Sequence, residues 1–255
     1  MHSPKNMEER KKKLKIAIEK VHKGVDVADV KEEFKEILRD ASPLEISKIE
    51  EEMIDEGIPK EQIQSLCDVH LELFKESLAE PNPELPETHP IYILMEEHKI
   101  ILNAVVKLAE LAQVCADQPD QVPSPDSIIG IMKSVEILRD SANHYHREEN
   151  VLFPKLESRG IVQPPAIMWT EHDIVRGIEK TIFNLFDNGP RLDADALKIL
   201  RESAIALSET LSSHFYKENN ILFQTSLKLF SEDEWKVIRV DFDDIGYGIL
   251  QPVSV

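Results

Sequence analysis

Two decapeptides in the second half of the chain share one pattern, and that pattern decides the fold. They are His144-Tyr145-His146-Arg147-Glu148-Glu149-Asn150-Val151-Leu152-Phe153 and His214-Phe215-Tyr216-Lys217-Glu218-Asn219-Asn220-Ile221-Leu222-Phe223. Each begins with a histidine and has a glutamate four residues later. Residues four apart lie on the same face of a helix, so each decapeptide can present an imidazole nitrogen and a carboxylate to one point.

Both decapeptides lie on apolar stripes. The residues seven positions before and after each first histidine are aliphatic, namely Ile137, Val151, Leu207 and Ile221. An ionised glutamate on such a stripe is costly unless its charge is compensated, and a metal ion is an effective compensation. The alternative is that each His-Glu pair is hydrogen-bonded on a solvated face. Two pairs in matched context favour metal binding.

The prolines divide the rest of the chain. They cluster around residues 81–90, 119–125, 164–165 and 190, and apolar residues recur at helical spacing between the clusters. With only 8 glycines and no strand-like alternation, the sequence predicts an all-α protein. The four long helices are expected at 90–117, 126–158, 165–188 and 193–230. The predicted domains are a small helical module over 1–80, a domain of four long helices over 88–230, and a last helix and tail over 231–255.

The first and third bundle helices each offer one further histidine. His98 lies between Ile91 and Val105 at seven-residue spacing, and His172 lies near Trp169 and Val175. His89 precedes Pro90 at the start of the first helix, where a capping role is favoured, and it is a reserve ligand. Glu149 is a second reserve. His146 is rotated about 200° from His144, so it is expected to face away from the site.

Composition excludes several function classes. The chain of 255 residues has 30 Lys+Arg against 48 Asp+Glu, a net charge of −18, which disfavours nucleic-acid binding. No segment reaches the roughly 20 apolar residues that a membrane span needs. The two cysteines, Cys67 and Cys115, are too few for a disulfide framework, so a cytoplasmic protein is expected. Cys67 and His70 share a helix face, but two side chains make an incomplete metal site.

The ordered motifs of residues 88–230 resemble the hemerythrin-like, or HHE cation-binding, family. They are EEHK, HxxxEExxLFP, EH and HxxxExxxLF. The resemblance implies an antiparallel four-helix bundle that holds two non-haem irons, with Mn or Zn as other candidates. It also implies His98, His144, His172 and His214 as terminal ligands, and Glu148 and Glu218 as bridging carboxylates. Residues 10–80 resemble the domain of unknown function 438 (DUF438) through VHKG, SPLEI, DEGIP and LCDVHLELFKESL.

Departures from the family narrow the expected function. Oxygen-carrying members of the family have a second histidine where this chain has Arg176, and HxxxxD in the last helix where it has HxxxE, so oxygen transport is disfavoured. We expect a protein that binds or senses oxygen, nitric oxide or peroxide in signalling or stress response. The alternatives are a di-iron enzyme or iron donor for iron-sulfur cluster repair or peroxide reduction, and a structural metal-binding interaction protein. The amino-terminal module is expected to contact a protein partner or a second copy.

Overall fold

The computed structural model describes residues 85–118, 122–187 and 189–251, and a few positions nearer the amino terminus. Cys67, His70 and most of the predicted amino-terminal module lie outside the described residues. Within the described residues the protein is all-α, as the sequence predicts. From residue 85 onward, the described α-helices are α1 (Pro90–Ala116), α2 (Pro125–Asp140), α3 (Ala142–Arg147), α4 (Phe153–Glu157), α5 (Gln163–Phe183), α6 (Ala194–Lys217), α7 (Phe223–Leu229) and α8 (Glu232–Ile245).

Capping side chains mark where α2, α6 and α8 begin. The side chains of Ser124 and Asp193 accept hydrogen bonds from backbone N–H groups in the first turns of α2 and α6. Ser231 and Glu234 form a reciprocal capping box at the start of α8, which their spacing predicts. Each capped start satisfies backbone donors that would otherwise lack partners, so these boundaries follow from local sequence.

Four helical segments form the bundle: α1, the run α2–α4, α5, and the run α6–α7. α1 packs against α2 and α6, and α5 packs against α6. Short connections between packed neighbours make consecutive segments antiparallel. α8 lies outside these four and packs against α1 and α3. No helix in the described part of the chain is long and apolar enough to cross a bilayer.

The second and fourth bundle helices are less regular than predicted. Ser141 interrupts the expected 126–158 helix, and its hydroxyl donates to the carbonyl of Leu138 at 2.7 Å. Both runs then contain a π-helical turn, the first over Glu148–Leu152 and the second over Glu218–Leu222. The third helix ends at Phe183 rather than near 188.

Two hydrophobic clusters fill the bundle on either side of one polar layer. The first cluster includes Ile101, Val135, Val175 and Leu211. The second includes Leu94, Leu152, Met168 and Phe223, and α8 adds apolar residues to it. In each bundle helix, the predicted metal ligands lie in sequence between residues of the two clusters. The fold therefore holds these polar side chains in its interior, between two apolar ends.

Candidate metal centre

The six predicted ligands come together at the polar layer. They form two groups, one of His98, His144, Glu148 and Glu218, and one of His172, His214, Glu148 and Glu218. Within each group, one potential ligand atom from each residue lies within 4.8 Å of the others. All six residues are at most 2% exposed. Two histidine pairs thus share the same two carboxylates, as two ions bridged by glutamates would require.

The distances describe the sharing in detail. One Glu148 oxygen lies 3.6 Å from the Nε2 atom of His144 and 3.4 Å from that of His172. Glu218 lies 3.2 Å from Nε2 of His98 and 3.0 Å from Nε2 of His214. Each carboxylate therefore faces at least one histidine of each pair, and Glu218 also lies 3.8 Å from Nε2 of His172. The Nε2 atoms of His172 and His214 lie 3.0 Å apart.

The donor atoms meet a simple test for a metal site. The Nε2 atoms of His98 and His144, and both oxygens of Glu148 and Glu218, are buried without a hydrogen-bond partner. Unpartnered buried polar atoms are costly, and coordination to a metal ion would satisfy them. Four imidazole nitrogens and two carboxylates suit Fe, Mn or Zn. The residues present therefore fit a pair of such ions.

The two π turns begin at the two shared glutamates. The backbone N–H of Phe153 donates to the carbonyl of Glu148, five residues earlier, and Phe223 does the same to Glu218. Such turns are rare and occur mainly at functional sites. The asparagine in each decapeptide supports the wider turn: the side-chain amides of Asn150 and Asn220 each donate at 2.8 Å to the carbonyl four residues earlier.

The Nδ1 atom of each imidazole, which is the ring nitrogen not directed at the shared carboxylates, lies close to a side-chain oxygen. We describe the residue that supplies this oxygen as lying behind the imidazole. His144 faces Glu97 at 2.9 Å, His214 faces Glu171 at 2.9 Å, and His172 faces Glu149 at 2.8 Å. His98 instead faces the side-chain oxygen of Asn219 at 3.0 Å. With Nδ1 protonated and donating, all four Nε2 atoms are left as acceptors that can bind a metal.

Each carboxylate behind an imidazole also contacts a cation. Glu97 pairs with Arg147, Glu171 pairs with Lys217, and Glu149 pairs with Arg176. Arg147 and Lys217 are the basic residues of the two decapeptides, so this position of the pattern supplies the charge that lets a glutamate be buried beside a ligand.

The ionisation of the shared carboxylates is unequal. Burial and then the nearby Glu218 charge raise the pKa of Glu148 to about 7. Burial also opposes ionisation of Glu218, but contacts with His214, His172 and His98 outweigh it and hold the pKa well below its ordinary value. The metal-free site therefore keeps one carboxylate firmly ionised and the other close to its titration point near neutral pH.

Among the imidazoles, burial lowers the pKa of both His98 and His144. Burial also opposes protonation of His172 and His214, but their glutamate contacts raise the pKa to about 11 and about 9. The two histidine pairs thus have different electrostatic surroundings.

Aromatic rings close the site on several sides. The ring of Phe215 stacks on His98 with centroids 3.9 Å apart, and Tyr145 meets His172 edge-on at 4.8 Å. Both aromatic residues are at most 2% exposed. They limit the rotation of the imidazoles and exclude water from the polar layer.

The reserve candidates lie elsewhere. His89 caps α1 by accepting from the N–H of Ile91 and packs on Trp235, and burial lowers its pKa to about 4. Glu149 lies behind His172 and belongs to neither group of converging atoms. His146 is exposed, as its helical phase predicts.

Sequence reasoning missed the carboxylates behind the histidines. The missed residues were visible as the Glu-His doublets Glu97-His98 and Glu171-His172. The glutamate of each doublet hydrogen-bonds a histidine on another helix rather than its own neighbour. A pattern search along one helix cannot reveal such a pairing.

The matches to known families agree with this geometry. The family described as "Family of unknown function (DUF438)" matches residues 14–80. No curated protein matches the chain at a significant level of similarity. The family described as "Hemerythrin HHE cation binding domain" matches residues 89–226, which is more than half of the chain and includes all six converging residues. The chain therefore belongs to the hemerythrin HHE cation-binding family.

Proposed function

We propose that this protein binds two non-haem iron ions and uses them to bind or sense a small oxidant or nitric oxide. His98 and His144 would hold one ion, and His172 and His214 the other. Glu148 and Glu218 would bridge them. The observation that carries the proposal is that two buried histidine pairs share the same two carboxylates.

The donor set narrows the choice of metal. Imidazole and carboxylate donors suit Fe, Mn and Zn, and softer thiolate-selected metals fit poorly. Among these metals we propose iron, because the resemblance to the hemerythrin family implies two non-haem irons. Bound iron would supply open coordination positions and a reversible change of oxidation state.

Burial of the site limits the size of the molecule that can bind there. With every proposed ligand at most 2% exposed, only a small molecule such as oxygen, nitric oxide or peroxide fits the proposal. Tyr145 and Phe215 would keep bulk water away from it. The amino-terminal region that matches DUF438 is the proposed means of passing the response to a protein partner or a second copy.

Metal analysis tests the proposal directly. Full-length protein loaded anaerobically with ferrous iron should contain about two irons per chain. His144→Ala and Glu218→Ala should each lower that content, whereas His146→Ala should not, because His146 is exposed on the same helical run. Exposure of the loaded protein to oxygen or nitric oxide should produce a new absorption band.

A structural metal site is a second candidate, favoured by the same complete burial of the ligands. It predicts tight binding of zinc and no spectral response of a cobalt-substituted protein to azide or nitric oxide. A response to either ligand would favour the sensing proposal. Protein that takes up neither iron nor zinc would contradict both.

A further inference from the structure

The two halves of the site repeat each other residue by residue. Glu97-His98 on α1 corresponds to Glu171-His172 on α5, and the two decapeptides correspond to each other. The contacts repeat as well. Glu97 accepts from the first decapeptide's histidine and pairs with its basic residue, and Glu171 does the same with the second decapeptide.

Among the residues behind the histidines, the repeat fails at two pairs of positions. Glu149 of the first decapeptide lies behind His172, whereas the corresponding residue of the second, Asn219, lies behind His98. The residue four positions after the histidine also differs between the two halves. Arg176, four residues after His172, pairs with Glu149 at 2.7 Å. Four residues after His98 the chain has Leu102, which packs against the apolar cluster.

An oxygen behind a ligating imidazole tunes how strongly the ring donates to a metal. A carboxylate that accepts from Nδ1–H increases the basicity of Nε2, and a neutral amide oxygen does so less. Loss of such a partner typically lowers metal affinity by about 10–100-fold. His172, His214 and His144 each have a carboxylate in this place, and His98 has the amide.

We propose that the two metal positions have unequal affinity, the position of His98 and His144 being the weaker, and that Asn219 together with Leu102 causes the difference. The inference rests on the proposed function, because it requires that both positions bind metal. Because of the lower affinity, the ion at His98 and His144 would be the first to dissociate when metal is scarce. Asn219 is thus a positioning residue that acts through His98.

Equilibrium titration of the metal-free full chain tests the inequality. Ferrous iron is added anaerobically in competition with a chelator of known affinity. We expect two binding steps whose dissociation constants differ by about tenfold or more. His98→Ala should retain the tight step and His214→Ala the weak one. Two equal steps, or the reverse assignment, would overturn the inference.

Two matched variants test the cause. Asn219→Glu with Leu102→Arg recreates the Glu149-Arg176 pair behind His98, and should bring the weak step to within a few-fold of the tight one. Glu149→Gln places a neutral amide behind His172, and should weaken the tight step by about tenfold. Unchanged affinities in the folded variants would refute the role of Asn219.

The outcomes separate this inference from the proposed function. A wild-type chain that binds no metal contradicts the proposed function. A chain that binds two ions equally leaves that function standing and contradicts the inequality. Circular dichroism of each metal-free variant checks folding. If the double variant does not fold, Glu149→Gln and the wild-type titration decide whether the two positions differ in affinity for the proposed reason.

Discussion

The glutamates behind the histidines are buried, and each of them contacts a cation. Arg147 is fully buried, contacts Glu97, and donates to the carbonyl of Gly246 at 2.5 Å. Its guanidinium also lies 4.6 Å from the centre of the Tyr247 ring. This arginine therefore joins His144, through Glu97, to the segment that follows α8.

Arg147→Leu should destabilise the metal-free protein strongly. The substitution leaves Glu97 buried without its cation, and breaking a buried ion pair costs about 3–5 kcal/mol. The free energy of unfolding from urea denaturation measures the loss. Arg159→Leu is the matched control, because Arg159 pairs with Glu234 and the two side chains are 46% and 37% exposed. We expect the control to cost less than about 1 kcal/mol, and equal losses would contradict the argument.

Glu179 on α5 should give the protein a pH-dependent stability of its own. One of its oxygens is buried without a hydrogen bond, and burial raises its pKa from 4.5 to about 8. Between these values the unfolded chain releases the proton that the folded chain keeps. The contribution of Glu179 to stability is therefore present below pH 4.5 and is lost as the pH rises to about 8.

Glu179→Gln removes this titration. The variant should be more stable than wild type at pH 8.5 by roughly 2–4 kcal/mol and nearly equal to it at pH 5. Urea denaturation at the two pH values gives the comparison. The exposed Glu209→Gln should show no such difference between the two pH values. A gain for Glu179→Gln that is the same at pH 5 would contradict the raised pKa.

The sequence predicts the presence of each bundle helix better than it predicts the irregularities within the helix. Prolines and caps place the four bundle helices within a few residues, because those signals act locally. The two π turns were not predicted, since Asn150 and Asn220 look like ordinary polar residues until their amides are seen donating to backbone carbonyls. The break at Ser141 and the early end at Phe183 also depend on tertiary packing, which periodicity does not report.

The same limit applies to the site. The helical periodicity of the sequence identifies the six converging residues, because each lies on an apolar stripe. Their partners behind the rings come from other helices, as Glu97 does for His144. Those pairings depend on how the helices are oriented in the bundle, and a single sequence does not give that orientation.

Asn220→Ala should weaken the second π turn. The side-chain amide of Asn220 donates at 2.8 Å to the carbonyl of Tyr216, just before this turn, and the substitution removes that hydrogen bond. We expect a loss of about 1 kcal/mol in the free energy of unfolding. Ser212→Ala is the control, because Ser212 donates to a carbonyl four residues earlier within regular α6. That carbonyl lies in an intact helical ladder, so the control should be nearly neutral.

The polar layer separates two hydrophobic clusters, each of which joins residues of all four bundle segments. We therefore expect the helices to form without metal, in contrast to small metal-nucleated domains. Without metal, however, Glu148 and Glu218 stay buried close to one another with unpartnered oxygens. That arrangement lowers the free energy of unfolding of the whole bundle, because Glu148 and Glu218 belong to different bundle segments.

Chelation should consequently lower thermal stability while leaving the helical circular dichroism largely intact. A ligand that binds only the folded state stabilises it by about 4 kcal/mol when its concentration is a thousand times its dissociation constant. Returning ferrous iron anaerobically should raise the melting temperature of wild type and of His146→Ala alike. His144→Ala and Glu218→Ala should lose most of that increase. An increase retained in Glu218→Ala would mean that iron stabilises the chain from outside the polar layer, because that variant lacks a carboxylate common to both histidine pairs.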